Sequence, residues 1–88
     1  MDGINQSDRF ECRIVNVIDN LMWKGVVVEH LKSGGRVYFA RVKPDEFNSE
    51  IGDTLYLGVT KLPYDLEERS TEVTLYDKDN KKLDWTLI

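Results

Sequence analysis

The chain has 88 residues, 41% of them hydrophobic, a formal net charge of −4 and a single cysteine. That length holds one core near the lower size limit for independent folding, and the apolar fraction excludes a disordered chain. Cys12 alone excludes an intramolecular disulfide, and Cys12 with His30 gives too few soft ligands for a tetrahedral zinc site.

Charge is unevenly divided along the sequence. Through Lys43 the balance is +2, and from Pro44 onward it is −6. Nucleic-acid-binding domains are as a rule net basic, because phosphate neutralisation supplies most of their affinity, so the balance argues against that role. Residues 1–9, MDGINQSDR, lack the apolar core of a signal peptide, and no apolar run is long enough to span a membrane. With a single thiol, this points to a reduced, cytoplasmic setting.

Residues 1–8 are polar and read as a flexible N-terminal tail, leaving 9–88 as one small domain. Residues 10–18 alternate as a strand, with Phe10, Cys12, Ile14 and Ile18 on one face and Glu11 and Arg13 on the other. Asn16 interrupts the apolar face, which predicts either a bulge that flips the phase or a strand covered on both faces. Asp19-Asn20 is a turn pair, followed by a second strand over residues 21–31 centred on Val26-Val27-Val28. Gly25 within it marks a bulge or a sharp bend of the kind that curls a sheet.

Residues 32–35, KSGG, make a turn into a third strand, 36–43, the densest mix of aromatic and basic residues in the chain. There Val37 and Phe39 share a face, Arg36, Tyr38 and Ala40 the other, and Arg41 and Lys43 follow the phase of Phe39. Residues 44–50 fit one helical turn plugged by Phe47. The fourth strand, 55–62, alternates Leu55, Leu57 and Val59 against Tyr56, Gly58 and Thr60. Residues 63–70, PYDLEERS, read as an acidic loop or a single helical turn, and 72–76 with 82–87 as a terminal hairpin around DKDNK at 77–81. On that hairpin Val73 and Leu75 point one way, and Leu83, Trp85 and Leu87 likewise on the partner strand. The fold class expected is therefore all-β: a small barrel of five to six strands, OB-like or SH3-like, with one short helical turn, since closure removes exposed edges.

At residues 51–62, IGDTLYLGVTKL, a Gly-Asp turn leads into an alternating strand that ends in Val-Thr-Lys. This stretch resembles the fourth strand of S1-type and other OB-fold barrels, and the helical turn just before it suits their strand 3 to strand 4 connection. The resemblance implies single-stranded nucleic-acid binding through aromatics on strands 2 and 3. Here that role would fall on Trp23 and Tyr38, with Arg36 and Arg41 beside them.

No arrangement in the sequence names a reaction. His30 sits in a valine-rich strand without a motif-spaced nucleophile, and Cys12 is in phase with the core. The carboxylates Asp65, Glu67, Glu68 and Glu72 form an acidic surface without the unequal environments that split an acid–base pair. No catalytic residue, metal ligand or cofactor is expected. The favoured reading is a protein-binding module, adaptor or inhibitor, possible self-association included. It would use Trp23, Arg36, Tyr38, Arg41, Lys43 and Tyr56 on the outside of the barrel together with the acidic C-terminal half. In a sharper version the 65–72 segment mimics nucleic-acid phosphate. The alternative is the nucleic-acid platform of Trp23, Tyr38 and the flanking Arg and Lys.

Overall fold

The computed structural model describes residues 9–61 and 71–88. The expected tail at 1–8 and the acidic loop at 63–70, with Asp65, Glu67 and Glu68, lie outside the described residues. Six strands follow one another: β1 (Arg9–Asp19), β2 (Lys24–His30), β3 (Arg36–Val42), β4 (Thr54–Lys61), β5 (Thr71–Tyr76) and β6 (Lys82–Leu87). One short 3-10 turn, Pro44–Glu46, stands between β3 and β4. All pairings are antiparallel, in the order β3-β2-β1-β4-β5-β6. The end strands β3 and β6 approach each other without forming a ladder, so the sheet is a nearly closed barrel, compatible with an OB-like fold.

The long first strand makes this curvature possible. Its first half, Arg9 to Arg13, pairs with β4, and residues from Cys12 onward pair with β2. Ile14 opposes Val28 while Asn16 opposes Val27, so Val15 is an extra residue and the strand bulges there. The bulge flips the phase, as Asn16 had suggested, and Val17 rather than Ile18 packs against the core. That core holds Cys12, Ile14, Val26, Val28, Phe39, Val42, Leu55, Leu57, Val73, Leu75 and Leu83, with Phe47 as a plug beyond the 3-10 turn. Among the described residues no buried side-chain nitrogen or oxygen lacks a hydrogen-bond partner.

Two further bulges redirect side chains that simple alternation placed differently. Gly25 opposes both Ala40 and Arg41 on β3. The phase of β3 resets there, so Val42 is buried and Arg41 and Lys43 are exposed, rather than following Phe39 inward. On β6, Leu83 is the extra residue between the pairs Leu75–Asp84 and Tyr76–Lys82. Leu83 points into the core, and Trp85 turns outward, 51% exposed. Val59 is also expected inside, but the β1–β4 ladder ends at Arg9–Gly58, so its ladder partner is Val73 of β5 alone, and it is 47% exposed. The second strand begins at Lys24, not at residue 21. Residues 20–23 form the hairpin tip, closed by the Asn20 N–H donating to the Trp23 carbonyl at 3.1 Å and by a Lys24–Asp19 ion pair at 2.8 Å.

Candidate recognition surface

Gly25 organises the outer face of β2 and β3. It alternates with the buried Val26, so its missing side chain would point outward, and the Tyr38 ring lies in that space. A β-carbon at Gly25 would stand 2.8 Å from Tyr38 Oη and 2.9 Å from its Cε1. The ring therefore meets the backbone edge-on, through Oη and Cε1, and Tyr38 remains 48% exposed. Ile18 pairs with Gly25 from β1 and is exposed beside it.

Next to Tyr38 runs the seam between β3 and β6. Asp84 bridges it: the Arg41 N–H donates to Oδ2 at 2.9 Å, and the Trp85 N–H donates to Oδ1 at 2.7 Å. One carboxylate thus serves two edge amides that a closed barrel would pair by backbone bonds. Outside this bridge lies a groove of about 360 Å³ lined by Tyr38, Ala40, Arg41, Asp84, Trp85 and Leu87 among others.

The structure brings Tyr38 and Arg41 together and leaves the other expected site residues elsewhere. Arg36 lies on the same strand, its Nε 3.9 Å from Glu29, which also holds Arg13 at 3.0 Å. Lys43 is exposed just past β3. Trp23 stands in the β1–β2 turn rather than on the sheet and does not line the groove. Tyr56 lies on β4, beside a second cleft of about 390 Å³ whose acidic lining is Glu46, Asp53, Asp77 and Asp79. Glu72 is half-buried in β5 between Thr60 and Leu87 and belongs to neither.

Two features escaped the sequence. Trp85 reaches the groove only because Leu83 bulges, and regular alternation over 82–87 gave no sign of it. The hairpin tip exposes Leu21 fully and Met22 and Trp23 substantially; apolar composition there read as strand, although Asp19-Asn20 already marked the turn.

A second tyrosine repeats the arrangement at Tyr38. Tyr76 sets its ring edge against Gly58, where a β-carbon would come 2.8 Å from Cε2. Arg9, paired with Gly58 on β1, packs against one face of the ring, its guanidinium carbon 3.8 Å from the centroid. Arg9 Nε also donates to Asn80 Oδ1 at 3.2 Å.

His30 and Cys12 have local roles. The Ser33 N–H reaches His30 Nδ1 at 3.3 Å and the Ser33 hydroxyl lies 2.7 Å from the same nitrogen, while Ser33 Oγ accepts the Gly35 N–H at 3.1 Å. These bonds fasten the β2–β3 turn, and Phe10 packs edge-on to the imidazole at 5.7 Å. Burial pushes the Cys12 thiol up to about 12, partly offset by a hydrogen bond with the Leu55 backbone. Among the described residues no helix is long and apolar enough to cross a membrane. No protein-family model matches the chain, and comparison with curated proteins and with solved structures gives no match.

Proposed function

We propose that this chain is a non-enzymatic protein-recognition module of OB type, an adaptor or inhibitor that docks through the outside of its barrel. The observation that carries the reading is the outward row of Ile18, Tyr38 and Trp85 laid across β1, β3 and β6 over a filled core. Large apolar side chains on an outer sheet face are a recognition surface when nothing in the fold covers them, and Tyr and Trp are the usual anchors. The apolar hairpin tip at 21–23 adds contact area. The net charge of −4 and the acidic cleft beside Tyr56 favour a basic partner surface and faster encounter with it. The OB assignment draws support from the long first strand shared between two ladders, the helical turn before β4 and the Gly52-Asp53 turn.

Affinity capture from an extract of the native host at physiological salt tests this, with wild type beside the Tyr38→Ala/Trp85→Ala double variant. A protein identified by mass spectrometry should be retained by wild type and lost from the variant. Capture of nuclease-sensitive material instead, or of the same proteins by both forms, rejects the reading.

A single-stranded nucleic-acid role is the second reading, and one observation favours it: Tyr38 and Trp85 line the same groove as Arg41. In this version Trp85 takes the place expected of Trp23. The Asp84 carboxylate in the groove and the overall negative charge weigh against it.

A further inference from the structure

We propose that the groove between β3 and β6 receives an arginine side chain from a basic segment of a partner protein. The inference rests on the protein-recognition reading above.

The molecule carries its own template for the contact. At Tyr76 the ring edge abuts a glycine and a guanidinium lies over a ring face at 3.8 Å. At Tyr38 the ring edge likewise abuts Gly25, but among the described residues no cation lies over it, and the residue is 48% exposed. A ring fixed by its edge keeps a negative π-face for a partner to cover, which is the surface a cation seeks. Trp85, the strongest cation–π acceptor among the aromatic side chains, lines the same groove.

Asp84 supplies the second half of the site. Each of its oxygens holds one backbone N–H, and a carboxylate has about four acceptor positions in all, so capacity remains for a planar donor fork. Arginine satisfies both requirements at once, because its guanidinium stacks on aromatic faces and bonds a carboxylate in the same plane. A lysine ammonium, compact and strongly hydrated, does neither as well. The net charge of −4 draws a basic segment toward the molecule over a longer range.

Arg41 lines the groove too, and its charge opposes an incoming guanidinium. That opposition gives the test its sign. A guest arginine should bind more tightly once Arg41 is neutralised, whereas a nucleic-acid phosphate should bind more weakly.

The purified protein is titrated at low salt with a heptapeptide alternating glycine and arginine, with its lysine counterpart, and with a short oligothymidylate. Binding is followed through the assigned NMR signals of Tyr38 and Trp85. The arginine peptide should shift those signals and bind about 3- to 10-fold more tightly than the lysine peptide. Tyr38→Leu and Trp85→Leu, each checked for native signal dispersion, should bring the two peptides level. Arg41→Gln should tighten the arginine peptide by about 2- to 5-fold. Arg41 is exposed, so this variant remains decisive if either aromatic replacement fails to fold.

Equal affinity for the two peptides, shifts confined to other residues, or weaker arginine binding by Arg41→Gln would each overturn the inference. If a partner is nevertheless captured through Tyr38 and Trp85, the recognition reading stands without it. Oligothymidylate binding that exceeds peptide binding and falls in Arg41→Gln removes both.

Discussion

Cys12 shows how one position ties packing to chemistry. It pairs with Leu55 on one side and His30 on the other, and is fully buried at the centre of the core. Only the thiolate is reactive, and burial raises the thiol pKa from 9.0 to about 12, so the native protein should resist a thiol-specific reagent at neutral and mildly alkaline pH. Labelling should appear with the same midpoint as urea unfolding; rapid labelling of the native form would show that Cys12 is reached from solvent. The same shift sets a pH dependence. Between the unfolded value of 9.0 and the folded value of about 12 the unfolded chain binds fewer protons, so stability is full below that window and falls as pH rises through it. The slope should approach about 1.4 kcal/mol per pH unit. Urea midpoints of wild type and Cys12→Val, measured from pH 8 to 11 by circular dichroism, isolate this contribution, because valine does not titrate. This residue was legible in advance: a small apolar side chain in phase with Ile14 belongs inside, and no competing signal was present. Phe10 shares that phase but sits at the barrel's end against His30, where alternation says nothing about exposure.

At the scale of the strands, alternation located all six elements and misplaced side chains wherever a bulge intervened. Asn16 in an apolar row left two alternatives, a bulge or a strand covered on both faces, and the bulge is the one found. Gly25 marked the second as a bulge or a sharp bend, without showing that the extra residue falls on β3; nothing comparable marked Leu83, because β6 reads as regular on paper and register is fixed only by the partner strand. Arg41, Val42 and Trp85 consequently point where sequence phase did not put them, and the groove is built from two of those three. Tyr38 was found because it lies before the shift. The seam these bulges create depends on Asp84, which supplies the acceptor that a ladder carbonyl would otherwise provide. Asp84→Ala leaves two edge amides to water and should lower stability by about 1–2 kcal/mol, since charge-assisted bonds to accessible groups are only partly replaced by solvent. The unfolding midpoint in urea should fall with an unchanged slope, and the Arg41 amide should lose its protection from hydrogen exchange. An Arg41 amide that exchanges equally fast in wild type and variant would mean the bridge contributes nothing in solution.

Across the whole molecule, charge is the property the sequence displayed most directly, and the fold arranges it in a way composition did not indicate. Of the basic residues of the first half, Arg13 and Arg36 meet at Glu29, while Arg9 reaches Tyr76 and Asn80. Carboxylates from separate stretches, Glu46, Asp53, Asp77 and Asp79, converge beside Tyr56 in a cleft that shares no lining residue with the Tyr38 groove. Convergence of this kind depends on which turns meet at one end of a barrel, and that is a fact of topology rather than of local pattern. The strand order also keeps each set of three neighbours contiguous in the chain, β1 to β3 and then β4 to β6. Each trio contributes one wall of the interior, with Ile14, Val26, Val28 and Phe39 on the first and Leu55, Leu57, Val73 and Leu75 on the second. Backbone hydrogen bonds join the walls mainly along β1 and β4, and the covalent tie is the segment around the 3-10 turn. A peptide bond severed between Asn48 and Ser49 would therefore yield two pieces, each a complete meander with its apolar side uncovered and no core of its own. Separately they should be unstructured; mixed at equal concentration they should complement each other into a one-to-one heterodimer with native chemical shifts, the chain's continuity replaced by mass action.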